Sequence, residues 1–127
     1  MSEDEKKVTY QTLMDSREIL MSISAKKVKP RLAYMLQKNL KLIQTEMNYF
    51  ENARVAGLEA MGFEKDEKKG EFIIIPEKDD EWKAQYKELA ETESGLIPHM
   101  IDLQTLEDSG VELSAFEMLQ ISWLIKE

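Results

Sequence analysis

Residues 36–50 read LQKNLKLIQTEMNYF, and within them Leu36, Leu40, Ile43, Met47 and Phe50 recur at alternating spacings of four and three. On a helix of about 3.6 residues per turn these five side chains fall on one stripe. An apolar stripe has to be buried, so this helix needs partners. Carried from Arg31 to Phe63, it would be roughly 50 Å long, too long for a compact domain of this size unless other helices lie along it. The expectation is a mainly α chain with a single domain over residues 1–127. It is read as an antiparallel helical bundle or hairpin around one long central helix, with a small two-stranded β element added.

The flanks of the stripe set its limits. Pro30 disfavours helical geometry at Lys29 but suits the first turn of the helix that follows. Gly57 and Gly62 each weaken a helix by roughly 1 kcal/mol relative to Ala, and Gly62 stands where a C-terminal cap is expected, so the regular helix should end before Phe63. Upstream, Thr9 can cap a helix from Tyr10 to about Ser24, with Leu13, Arg17, Leu20 and Ser24 on one line and Ile19 and Ile23 beside it. Residues 1–7 are charged and read as a frayed tail without the apolar stretch of a signal peptide.

Downstream, the stretch from Glu64 to Gly70 has no apolar residue and ends in glycine, which makes it a solvated turn. The segment from Glu71 to Ile75 is aromatic and β-branched and reads as a strand ended by Pro76. Its expected partner is the segment Leu96 to Ile101, where Pro98 demands an edge position or an irregular path. Asp79 or Asp80 should begin a helix whose stripe of Trp82, Tyr86 and Leu89 packs antiparallel against Met47, Phe50 and Leu58 and which ends near Thr92 to Gly95. Asp102 can cap a turn through Leu106, stopped by Gly110.

The last helix has the clearest local signature. Ser114 and Glu117 form a Ser-x-x-Glu capping box, with Leu113 and Met118 placed for a hydrophobic staple. Apolar residues then surround most of the helix. Phe116, Leu119 and Trp123 make one stripe, expected to enter the core; Met118, Ile121 and Ile125 make a second, expected to remain at least partly available to another subunit or a target.

Charge is unevenly spread over the net −8. Residues 1–60 carry ten Lys/Arg against eight Asp/Glu, and residues 61–127 carry seven against seventeen. Lys26, Lys27, Lys29, Arg31, Lys38 and Lys41 form a basic patch uninterrupted by any acid. Its first reading is a surface facing the acidic half and solvent; nucleic acid is disfavoured as a partner, because only Tyr34 supplies aromatic interleaving. Glu77, Asp79, Asp80 and Glu81 lack the glycine and alternating spacing of a calcium loop, so they read as a solvated start of a helix. In the alternative reading they belong to an acidic partner-binding surface.

No cysteine is present, which removes disulfides, thiolate metal sites and cysteine nucleophiles. The longest apolar run, Phe72 to Ile75, is far short of the ~20 residues of a membrane span, and a cytoplasmic location is expected. His99 is the only histidine and has no partners placed for catalysis or metal binding; Glu46 and Glu51 do not form a Glu-x-x-His pair. No nucleophile elbow, phosphate loop or dinucleotide fingerprint occurs. Neither enzymatic activity nor a metal or cofactor is expected. The eight methionines suit an adaptable core or partner surface.

A resemblance spans most of the chain. A Thr-Tyr-Gln-Thr-Leu helix start is followed by Lys-Val-Lys-Pro and a long charged helix with Leu40-Lys-Leu-Ile and Phe50-Glu-Asn-Ala-Arg. A Lys/Glu/Gly turn, an acidic helix and an Ile-Asp-Leu segment come next, before the ending from Val111 to Ile125, VELSAFEMLQISWLI. This order resembles a family of small uncharacterised proteins encoded by tailed phages and prophages, mostly of Gram-positive bacteria. Ala115 stands where that family often has proline. The resemblance implies a viral context, in the host cytoplasm or the virion, and brings no catalytic residues. The expected function is a non-enzymatic phage protein that binds another protein, a second copy of itself included, as an accessory or assembly component of the particle or tail. The alternatives are an anti-CRISPR-like inhibitor of a host defence enzyme acting through its acidic surface, and a nucleic-acid-binding regulator using Lys26 to Lys41.

Overall fold

The structure is a computed structural model that describes residues 8–127; the tail expected over residues 1–7 lies outside the described residues. The fold is mainly α, with five α-helices and two short strand pairs among those residues. Helix α1 spans Tyr10–Ser24 and begins where the Thr9 hydroxyl accepts the Thr12 amide at 3.2 Å. It buries Leu13, Ser16, Leu20 and Ile23. After a five-residue connection Pro30 opens helix α2, Pro30–Ala60, about 46 Å long at ~1.5 Å per residue. The two are antiparallel: Arg17 donates to Gln44 and Tyr10 donates to Glu46, each at 3.2 Å.

The quoted stripe is the buried face of α2. Leu36, Ile43 and Phe50 are buried, Leu40 and Met47 are half-buried, and Leu32 and Leu58 extend the line at both ends. Gly62 then takes the left-handed conformation (φ 85°) and the chain leaves the helix. The Lys78 ammonium donates to the Met61 carbonyl at 2.6 Å, placing a cation at the negative end of the helix dipole.

Helix α3, Asp79–Ala90, follows a single 3-10 turn at Pro76–Lys78 and lies across the second half of α2. Its aromatic residues join a continuous chain of ring contacts. Phe63 meets Trp82 at 6.4 Å, Trp82 meets Tyr86 at 6.1 Å, Tyr86 meets Phe50 at 5.7 Å, and Phe50 meets Tyr10 of α1 at 5.3 Å. Gly57 makes this possible, since a Cβ there would stand 3.1 Å from the Trp82 ring. The expected packing of α3 on α2 is thus present, although the helix stops at Ala90 rather than near Thr92 to Gly95. Beyond it, the Thr92 carbonyl accepts the Tyr10 amide at 3.1 Å and the Val8 carbonyl accepts the Ser94 amide at 2.8 Å, tying the start of α1 to the end of α3.

The strand pairing differs from expectation. Strands β1 (Lys65–Asp66) and β2 (Glu71–Phe72) pair antiparallel as a local hairpin, Lys65 opposite Phe72 and Asp66 opposite Glu71. The Asp66 carboxylate accepts the Lys68 amide at 2.9 Å and Gly70 takes φ 70°, so the polar turn itself closes the pair. A short loop costs less closure entropy than a pairing across some 25 residues, which leaves Ile73 and Ile74 exposed past the strand. The stretch from Leu96 to Met100 is irregular; only Ile101–Asp102, β3, is a strand, and it pairs in parallel with β4, Ile125–Lys126.

Between β3 and β4 lie α4 (Leu103–Asp108), ended by Gly110 at φ 77°, and α5 (Ala115–Ile121). The Asp102 carboxylate makes no cap hydrogen bond. At α5 the capping box is complete: the Glu117 amide donates to the Ser114 hydroxyl at 3.0 Å and the Ser114 amide to the Glu117 carboxylate at 2.9 Å. Ser114→Ala should lower stability by roughly 1 kcal/mol in urea unfolding, with Glu117→Ala causing a similar loss and the double variant less than the sum. The core joins Leu20 and Ile23 of α1, Leu36 and Ile43 of α2, Leu106 of α4 and Ile121 of α5.

Candidate functional site

Two buried polar side chains decide which surfaces the molecule presents. Asn39, on the inner face of α2, is 1% exposed. Its amide nitrogen donates to the His99 carbonyl at 2.8 Å and its oxygen accepts the His99 amide at 2.9 Å, while the same nitrogen also reaches the Met35 carbonyl at 2.9 Å. One side chain thereby replaces the strand partner that residues 96–100 lack. Held by its backbone at His99, this strap turns Ile97 outward (83% exposed) and leaves Met100 and His99 exposed. With Leu103, Met118, Trp123 and Ile125 the strap lines a groove of about 870 Å³.

Ser16 does the same for the last helix. The Trp123 indole donates to its hydroxyl at 2.7 Å, and the hydroxyl lies within hydrogen-bond reach of the Gln120 and Thr12 carbonyls, at 2.9 and 2.7 Å. Regular helix stops at Ile121, and Ser122–Leu124 form a 3-10 turn. That change of pitch turns Trp123 off the line of Phe116 and Leu119, because a 3-10 turn holds three residues rather than 3.6. Trp123 is buried as expected, beside Ile121 and Leu124.

The expectation for the last helix holds for Trp123, which is buried, and fails for Phe116, Leu119 and Ile121. Ile121 is 1% exposed and belongs to the core, so it offers nothing to a partner, and Met118 and Ile125 are half-buried on the groove wall. Phe116 and Leu119, expected inside, are 66% and 69% exposed, three residues apart on the outer side of α5. Two large apolar side chains left in water on a capped, fixed helix turn are a ready contact surface.

The acidic residues Glu77, Asp79, Asp80 and Glu81 stand together on the 3-10 turn and the first turn of α3, where carboxylates complement the helix dipole. Asp79 is committed to Lys83 at 3.0 Å, and that hydrogen bond raises the lysine's pKa. Of the basic patch, Lys26, Lys27 and Lys41 border a second groove of about 630 Å³, floored by Val28, Leu36 and Leu40. Lys38 sits over the Tyr34 ring at 4.8 Å, and Lys29 and Arg31 are exposed where α2 begins. Among the described residues none of these six cations forms an ion pair. Lys26 and Lys27 nonetheless share a small depression with Glu112 of the acidic half.

Among the described residues no three His, Asp or Glu side chains are grouped to hold a metal ion, and no helix is long and apolar enough to cross a membrane. Compared with protein-family models, with curated proteins and with solved structures, the chain finds no match in any of the three.

Proposed function

We propose that this chain is a non-enzymatic phage protein that works by binding another protein, as an accessory or assembly component of the particle or its tail. The observation that carries the binding role is the outward pair Phe116 and Leu119 on a helix locked in place by its capping box and by the Trp123–Ser16 bond. The phage setting is supported by the resemblance of the helix order and of the ending from Val111 to Ile125. Proteomics of purified virions, set beside a pull-down from infected cells, tests the assignment. The expected result is the chain in particles, in a fixed ratio to a structural protein that also appears in the pull-down. Its absence from particles, with a host nuclease retained on the bait, would transfer the function to the anti-defence reading and to Glu77, Asp80 and Glu81.

A further inference from the structure

The lysine-rimmed groove and the C-terminal stretch that carries α5 are opposite in charge. The groove has an apolar floor of Val28, Ala33, Leu36 and Leu40, and its lining includes Lys26, Lys27 and Lys41 but no acid. From Asp102 to Ile125 the chain carries Asp102, Glu107, Asp108, Glu112 and Glu117 and no Lys or Arg, and this stretch displays Phe116 and Leu119. A helix that shows two apolar side chains one turn apart and follows an acidic lead-in is what such a groove accepts, with the charges left at the rim where solvent still reaches them. The groove also reaches the lead-in to α5. Lys26 and Lys27 line both the groove and a smaller depression of about 230 Å³, whose other side is the Ser109 to Glu112 lead-in to α5. When a helix and its complementary groove share one face, a two-fold axis can seat each copy's helix in the other's groove, and the assembly closes.

We propose that α5 of one copy of this chain seats Phe116 and Leu119 in the Lys26–Lys27–Lys41 groove of a second copy, and that the exchange is mutual, forming a two-fold dimer. This names a partner for the surface on which the proposed function rests. Sedimentation equilibrium of the full chain tests it, using wild type, Leu119→Glu, the double variant Lys27→Glu/Lys41→Glu, and an equimolar mixture of the two variants. All three positions are exposed, so circular dichroism should show both variants folded. Wild type should dimerise, more weakly as salt is raised, and each variant should dimerise at least about tenfold more weakly. Where each substitution disables its contact completely, the mixture should associate better than either variant alone, because the heterodimer keeps one intact helix–groove contact and each variant alone keeps none.

A wild type that stays monomeric at the highest soluble concentration overturns the proposal. So does a mixture no better than its components, or a lysine variant that dimerises like wild type while Leu119→Glu does not. If the lysine substitutions abolish only the binding of a single-stranded oligonucleotide, the rim serves nucleic acid and the proposal is wrong. A monomeric wild type that still retains a phage protein through Leu119 sinks the dimer and leaves the proposed function standing.

Discussion

Asn39→Asp should destabilise the protein by about 3 kcal/mol or more at neutral pH, although the change replaces one NH₂ by an oxygen of nearly the same size. The new carboxylate would face the His99 and Met35 carbonyl oxygens in a site that is 1% exposed, with both N–H donors lost and a charge gained. Burial and those carbonyls raise its folded-state pKa above the unfolded value of about 4. A protonated carboxyl can still donate to His99, so the defect should shrink as pH falls toward that unfolded value and grow as pH rises above it. Urea unfolding at several pH values measures both the size and the slope. A loss under ~1 kcal/mol with no pH dependence would mean that the strap is held by its apolar contacts alone.

Phe50→Ala should cost about 3–5 kcal/mol, at the upper end of core truncations. Phe50 is the one ring that touches both Tyr10 of α1 and Tyr86 of α3, so its removal opens a void where three helices meet. The loss should exceed that of Tyr86→Phe, which removes only a hydroxyl lying 3.9 Å from the Met14 sulfur. Chemical denaturation of the two variants checks the order. Equal losses would place the energetic centre of the helix junction elsewhere.

Local rules carried the reading furthest where the physics is local. The bounds of α1 and α2 follow from Thr9, Pro30 and Gly62, and the start of α5 from Ser114 and Glu117, because caps, proline and left-handed glycine act within a turn of where they stand. The strand pairs were not legible because each is two residues long. The partner of β3 comes from the far end of the chain, and the partner of β2 from a turn with no apolar residue.

The orientation of α5 depends on a tertiary bond, Trp123 to Ser16, and on the 3-10 turn that the bond accompanies; a helical wheel drawn at 3.6 residues per turn has neither. A signal for both buried polar residues was nonetheless present. Asn39 stands between Leu36 and Ile43 on the apolar face of α2, and Ser16 between Leu13 and Leu20 on that of α1. A polar residue inside a buried stripe needs a partner from outside its own helix, and here the partners are the strap and the last turn of the chain. Those two bonds set which side of α5 and which side chains of residues 96–100 face solvent.

The outward face of α5 is the centre of the functional account, and its most direct test is quantitative capture from infected cells with wild type and with Phe116→Glu/Leu119→Glu as baits. Both side chains are largely in solvent, so the double variant should keep its unfolding midpoint. It should retain at least about tenfold less of the protein that wild type captures, a second copy of the chain included. Equal capture by a folded double variant would contradict the account and move the binding surface away from the last helix.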